Sequence, residues 1–253
     1  MKSLLTFSLL IWCAAIAPAD TVITRFKAPA GYELIKPATG SFGAYLQNLP
    51  LKPVGAHTKT YTGAIAATDA YTAAVVDISV GNEDLQQCAD AIMRLRGEYL
   101  YQQKRYGEIA FHFVNGFLCD YVHYADGYRY KNNKWALIAT KDYSYPAFMR
   151  YMKLVFEYAC TLSLDKELKN VANTTDIQAG DVFIRGGSPG HCFVVMAVAQ
   201  NAQGNKVFTI AQSYMPAQNI QVLRDTSPWF SLSKTAQIPY GELIDVGYLK
   251  RFD

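Results

Sequence analysis

Two residues of this chain have the types and placing for nucleophilic chemistry. Cys88 falls near the start of a helical pattern, and His191 opens an apolar strand pattern much later in the chain. A cysteine hydrolase needs a thiolate, and a helix amino terminus together with a nearby imidazole can depress a thiol pKa by several units. A third polar group commonly fixes the imidazole tautomer. Gln212 ends the next strand pattern and stands level with His191 if the two strands pair across the turn 201–205. The same residues also have a plainer reading. Cys88 shares its helical spacing with Leu85, Ile92 and Leu95, and free cysteine is among the most buried residue types. A strand histidine is more often a satisfied core residue than a catalyst.

The elements that must position these residues follow from periodicity. Leu85, Cys88, Ala89, Ile92, Leu95, Tyr99 and Leu100 recur at helical spacing, which predicts a helix over 84–103 with Asp84 and Gln87 as its capping box. Tyr71 to Val80 is rich in β-branched residues and bounded by Gly81, a strand signature. Ile109–Val114 and Leu118–Tyr124 read as two strands around the turn Asn115-Gly116. A second helix runs from Pro146 to about Leu162, with Phe148, Tyr151, Met152 and Val155 on one face. In the last third, Asp181–Ile184, His191–Val198 and Val207–Gln212 are short strands joined by Gly-rich turns, which implies antiparallel neighbours. Helices followed by a sheet define an α+β class. No repeat, low-complexity tract or linker divides the chain, so residues 20–253 read as a single domain, with 20–80 an amino-terminal extension and 81–253 the core.

The first residues have another role. Lys2, the apolar run Leu4–Ile16 and Ala17-Pro18-Ala19 before Asp20 follow the grammar of a secretion signal cleaved after Ala19. The run is shorter than the roughly 20 residues that span a hydrocarbon core. Cys13 follows the bulky Trp12 where a lipoprotein signal carries a small residue, so a lipid anchor is the less favoured form. The expected location is outside the cytoplasm, in the periplasm or beyond, with no integral membrane segment in the mature chain. Apolar residues at 51% and charged ones at 18% support a packed core rather than disorder. The net charge of +3 comes with no dense basic cluster, which argues against nucleic acid as a partner. Four cysteines, Cys88, Cys119, Cys160 and Cys192, lie beyond the signal. They permit two disulfides in three connectivities, and a chain of this length can also fold without any.

Two resemblances sharpen the reading. Asp181-Val182-Phe183-Ile184 and Gly190-His191-Cys192-Phe193-Val194-Val195 resemble the Gly-Asp strand and histidine strand of the papain-like cell-wall peptidases of the NlpC and CHAP types. That likeness implies a papain-like core with helices packed on an antiparallel sheet. It also implies a nucleophilic cysteine opening a helix upstream, and a His, Asn or Gln on the strand after the histidine. The order Cys88, His191, Gln212 matches, but the approach Gln86-Gln87-Cys88-Ala89-Asp90 lacks the family's glycine, and several residues of the expected helix precede the cysteine. Over nearly the whole mature length the chain also resembles a family of bacterial exported proteins and lipoproteins defined as a domain of unknown function (family number 4846). Ser41-Phe42-Gly43-Ala44-Tyr45-Leu46, Asp84–Asp90 with Arg94-Leu95-Arg96, Gly187–His191 and Ala211–Gln218 carry that likeness, which supplies no activity.

Two functions follow as expectations. In the first, the protein is an exported cysteine hydrolase cleaving an amide bond of the cell envelope, with peptidoglycan or envelope peptides as partners. Cys88 is then the nucleophile, His191 the base and Gln212 the residue that holds the ring. In the second it is a non-catalytic envelope protein binding glycan or peptide through its many tyrosines. No cofactor is expected in either case. His57, His112 and His123 lack the close spacing of metal ligands, so no metal is expected. Gly186, Gly187 and Gly190 read as a turn, Asp181 as a turn residue, and Arg94 and Arg96 as pointing to different faces of their helix. Tyr214, Trp229 and Tyr240 suit a binding groove or a core equally.

Overall fold

The computed structural model describes residues 20–253, so the secretion signal assigned to residues 1–19 lies outside the described residues. The chain begins with helix α1 (Val22–Arg25), strand β1 (Tyr32–Leu34), helix α2 (Phe42–Gln47) and strand β2 (Thr72–Val75), followed by the long helix α3 (Cys88–Gln102). Strands β3 (Ala110–His112) and β4 (Leu118–Asp120), helix α4 (Tyr121–Ala125) and the hairpin β5 (Tyr128–Lys131) and β6 (Lys134–Leu137) come next. Helices α5 (Tyr145–Tyr158) and α6 (Thr161–Glu167) lead to strands β7 (Lys169–Asn170), β8 (Val182–Arg185), β9 (His191–Asn201), β10 (Lys206–Gln212), β11 (Gln221–Leu223) and β12 (Leu249–Arg251).

The architecture is α+β around an antiparallel sheet of eight strands in the order β2-β11-β10-β9-β8-β12-β7, with β1 also pairing on β9. The segment 20–80 therefore supplies β1 and β2 to the same sheet as the strands of the last third. Strand β9 is central and buried on both faces. On one side Cys192, Val194 and Met196 pack with Ile92 and Leu95 of α3 and Phe148 and Met152 of α5. On the other, Phe193 and Val195 pack with Phe208, Ile210, Leu243 and Ile244. Coverage of both faces explains why β9 reads as a continuous apolar run rather than an alternation. A shift of register at Thr209/Ile210 leaves Met196 as an extra residue on β9, so Met196 and Ala197 both face the helix side and the alternation moves by one residue beyond it.

Several elements differ from their sequence-based bounds for local reasons. Helix α3 starts at Cys88 and not at Asp84, because residues 83–87 form successive tight turns (Leu85 N–H to Glu83 O, 2.9 Å; Gln87 N–H to Leu85 O, 2.8 Å). Asp84 does not cap the helix: its Oδ1 accepts from the Ala217 amide at 2.6 Å. Gln87 is the N-cap, and its amide donates to Oδ2 of Asp90 at 3.0 Å. Strand 71–80 is confined to β2, after which Asp77 N–H donates to Pro50 O and the chain leaves the sheet. The second half of 118–124 is helix α4, started by Asp120, whose Oδ1 accepts from the His123 amide at 2.9 Å. The helix predicted from Pro146 to Leu162 breaks at Ala159, and Cys160 begins a new one by donating its amide to the Ser163 hydroxyl at 3.1 Å. Hairpin β5–β6, turned by Asn132 and Asn133 at φ 53° and 62°, is an addition to the elements read from the sequence.

The turn that delivers His191 is tightly packed. A Cβ on Gly190 would lie 2.3 Å from the Thr161 hydroxyl and 2.4 Å from Gly187 O, so the α6 start and the β8–β9 turn meet only because this position lacks a side chain. Gly190→Ala is accordingly expected to lower unfolding free energy by about 1–3 kcal/mol, read as a lower urea midpoint at unchanged slope.

Candidate functional site

The amino end of α3, the first residues of β9 and the last residue of β10 converge. Cys88 is the first helical residue, partly exposed, and its amide has no intrahelical acceptor because none precedes it. His191 is buried at 2% exposure at the start of β9. Its Nε2 meets Gln212 Oε1 at 2.7 Å. An amide oxygen only accepts, so Nε2 carries the proton and Nδ1 is the ring nitrogen left for the sulfur. The register places Ala211 opposite Val194, and the Gln212 side chain reaches back along the strand pair to the ring. His191 and Gln212 are thus joined directly, and the Cys88 thiol lies near enough to the ring to be influenced by it. Tyr240 stacks on the imidazole at 4.6 Å and 21°, Phe193 meets it edge-on at 4.8 Å, and Tyr214 lies at 5.3 Å. Tyr240 adopts φ 60° and ψ 21°, a left-handed conformation that a bulky residue holds only at a cost of about 1–2 kcal/mol.

The electrostatics of the cluster favour negative charge on one sulfur. The Cys88 thiol is held well below its ordinary range, first by a hydrogen bond from the Cys192 thiol. Burial opposes the shift, whereas the hydrogen bond and attraction of the His191 ring and the Ala89 amide add to it. Cys192 is pushed well up by burial and by Cys88, so it stays a neutral donor. Asp90 is also pushed well up, chiefly by burial, with the Cys88 charge adding to it. Its Oδ1 is buried without a hydrogen-bond partner, as suits a carboxyl kept neutral.

The segment ahead of Cys88 is held from both sides. Ser213 Oγ lies 2.9 Å from Gln86 O and 2.8 Å from Gln218 O, so the loop after β10 is tied to the approach to the cysteine. The Gln86 side chain is 1% exposed and its Oε1 accepts from Arg94 Nη1 at 2.8 Å. Arg94 also pairs with Glu98 at 3.3 Å inside the protein. Arg96 points elsewhere, with its guanidinium 5.4 Å from the Phe42 ring and 5.1 Å from Phe252. Asp90, Cys192, Gln86 and Tyr240 were not among the residues singled out from sequence for this cluster. Cys192 adjoins His191 and Asp90 stands three places after Gln87, so spacing carried a signal for both. Gln86 and Tyr240 are brought in by long-range packing that no local pattern encodes.

Other candidates sit apart. Trp229 Nε1 donates to Lys27 O at 3.1 Å, away from Tyr214 and Tyr240. His57, His112 and His123 each pair with a single carboxylate, those of Asp69, Glu167 and Asp120. Among the described residues no group of three or more His, Cys, Asp or Glu is placed to hold a metal ion. Asp181 is fully buried and paired with Arg251 at 2.6 Å. Clefts of about 670, 570 and 530 Å³ lie elsewhere and are lined by neither Cys88 nor His191. Volume and chemistry therefore disagree on where the site lies, and the converging titratable groups are the better guide, since a cleft without reactive side chains offers binding alone.

Fold and cluster together define an α+β protein in which a helix-end thiol faces an oriented imidazole. The chain belongs to the family described as Domain of unknown function (4846), whose model matches residues 22–243. No curated protein and no solved structure matches it. No helix among the described residues is long and apolar enough to cross a membrane.

A carboxyl whose pKa is raised by folding binds its proton more tightly in the native state, so its contribution to stability falls as pH rises from the unfolded value, near 4, through the folded one. Asp90→Asn keeps an acceptor for the Gln87 amide and removes the charge. The variant is expected to gain on wild type progressively as pH rises above about 4, in urea unfolding followed from acid to neutral pH.

Proposed function

We propose that this protein is an exported cysteine hydrolase of the bacterial cell envelope, with a papain-like arrangement, acting on an amide bond such as those of peptidoglycan peptides. The observation that carries the reading is a partly exposed thiol at the first position of α3, held below its ordinary pKa beside a histidine whose far nitrogen is fixed by Gln212. The start of α3 at Cys88 also brings the chain closer to the papain-like pattern than the sequence alone suggested, since no helical residue precedes the cysteine. The leader-like composition of residues 1–19 supports export.

The proposed reaction uses these groups in turn. His191 takes the thiol proton, and the Cys88 sulfur adds to the substrate carbonyl carbon. Negative charge developing on the carbonyl oxygen is met by the unpaired Cys88 amide at the positive end of the helix. His191 passes its proton to the leaving nitrogen as the C–N bond breaks, which leaves a thioester on Cys88. A water molecule, deprotonated by His191, then attacks the thioester carbon and releases the acid. Gln212 and the Tyr240 stack keep the ring aligned throughout, as positioning residues.

Cys88→Ser and His191→Ala are expected to remove turnover of muropeptide or envelope-peptide substrates, His191→Ala by about 10²–10⁴-fold in kcat, with the melting temperature of Cys88→Ser close to wild type and that of His191→Ala lowered by loss of its buried contacts. Wild-type protein that turns over nothing across a broad muropeptide and peptide panel contradicts the proposal and returns the protein to the non-catalytic reading.

A further inference from the structure

Strand β8 ends at Arg185, and the register sets Arg185 directly opposite His191 at the start of β9. Residues paired in this way share one face of the sheet, with Cβ atoms about 4.5–5.5 Å apart. The imidazole thus has Gln212 on its β10 side and an arginine on its β8 side. Tyr240 connects the two: its ring stacks on the imidazole at 4.6 Å, and the Arg185 guanidinium lies 5.6 Å from the centre of the same ring. The exposed turn 187–189 follows, so the cation stands at the rim of the site.

Little in the protein answers this charge. Among the described residues the one ionic partner of Arg185 is Glu242 at 3.2 Å, whose side chain is 57% exposed, and a pair so open to solvent contributes little. Asp165, which lies against Gly186, is already paired with Lys250 at 2.8 Å. Arg185 Nε is buried with no hydrogen-bond partner, while the side chain as a whole keeps 31% of its surface exposed. The outward part of the group is therefore its Nη end, a planar fork of N–H donors with one weak competitor, and that fork matches the geometry of a carboxylate.

We propose that Arg185 selects substrates that carry a free carboxylate beside the scissile amide, taking that carboxylate in place of Glu242. The acidic group docks on the outer nitrogens of the guanidinium, and Tyr240, packed against both guanidinium and imidazole, sets its position relative to His191. The neighbouring amide is then presented to Cys88 and His191. An amidated analogue leaves the arginine with Glu242 and loses the anchor. Selection during turnover rests on the hydrolase function proposed above, but capture of the carboxylate does not.

The test uses peptidoglycan stem peptides prepared in pairs, with carboxylates free or amidated. Their binding to Cys88→Ser is measured by calorimetry, and kcat/KM is measured with wild type. The free form is expected to bind about 10–100-fold more tightly than its amide. Arg185→Gln, added to Cys88→Ser, is expected to remove the difference. Glu242→Gln deletes the internal competitor and is expected to widen it, and this surface substitution keeps the test open if Arg185→Gln folds poorly. Equal binding of the two forms, binding of neither, or a preference left unchanged by either substitution overturns the proposal. Cleavage of both forms at equal kcat/KM also overturns it while the hydrolase reading stands. A carboxylate preference in binding with no cleavage by wild type supports the capture site and removes the hydrolase reading.

Discussion

The hydrogen bonds that tie residues 84–87 to the loop after β10 decide where α3 begins, and that beginning decides the character of Cys88. Asp84 is engaged by the Ala217 amide, and the Ser213 hydroxyl sits between the carbonyls of Gln86 and Gln218. With these residues held in tight turns, the first helical position falls on the cysteine. Started a turn earlier, the same helix would carry Cys88 inside its hydrogen-bonded body, without a free amide or the full influence of the helix end. The reactive geometry is therefore a tertiary property imposed on a local pattern.

Around that point the protein concentrates several ionisable groups in a small volume and lets one of them carry charge readily. Asp90 and Cys192 are both driven toward their neutral forms by burial, while the Cys88 sulfur receives a hydrogen bond from Cys192 and faces the His191 ring. Two buried carboxylate or thiolate charges side by side would repel strongly at low dielectric. Keeping the neighbours protonated makes the single sulfur anion tolerable. The Arg94–Glu98 pair and its bond to Gln86 form a second buried polar layer beneath the approach to the cysteine. Such a network fixes a unique conformation only when its members are satisfied.

Much of the carboxyl-terminal sheet was legible in the sequence because β8, β9 and β10 are apolar runs separated by glycine-containing turns, and their pairing follows from short connections. The nearness of Gln212 to His191 came from the same reasoning, although the register sets Gln212 two residues short of level and its side chain spans the difference. Boundaries that depend on distant partners were not legible. The capping box expected at Asp84 and Gln87 gives way to the contact of the Gln87 amide with Asp90, with Asp84 engaged instead by the distant Ala217 amide. Helix α5 stops at Tyr158 because Cys160 starts another helix, although the apolar face seemed to run on. The stack of Tyr240 on His191 brings together residues whose own local sequences carry no sign of each other.

Direct titration of the Cys88 sulfur tests the central claim most simply. The ultraviolet absorbance of thiolate is followed against pH in wild type and Cys88→Ser, and the difference isolates this one group. The account predicts a midpoint well below the ordinary thiol value of about 8.5, moving upward in His191→Ala. A difference signal that appears only in the ordinary thiol range, and that ignores the loss of His191, would contradict it.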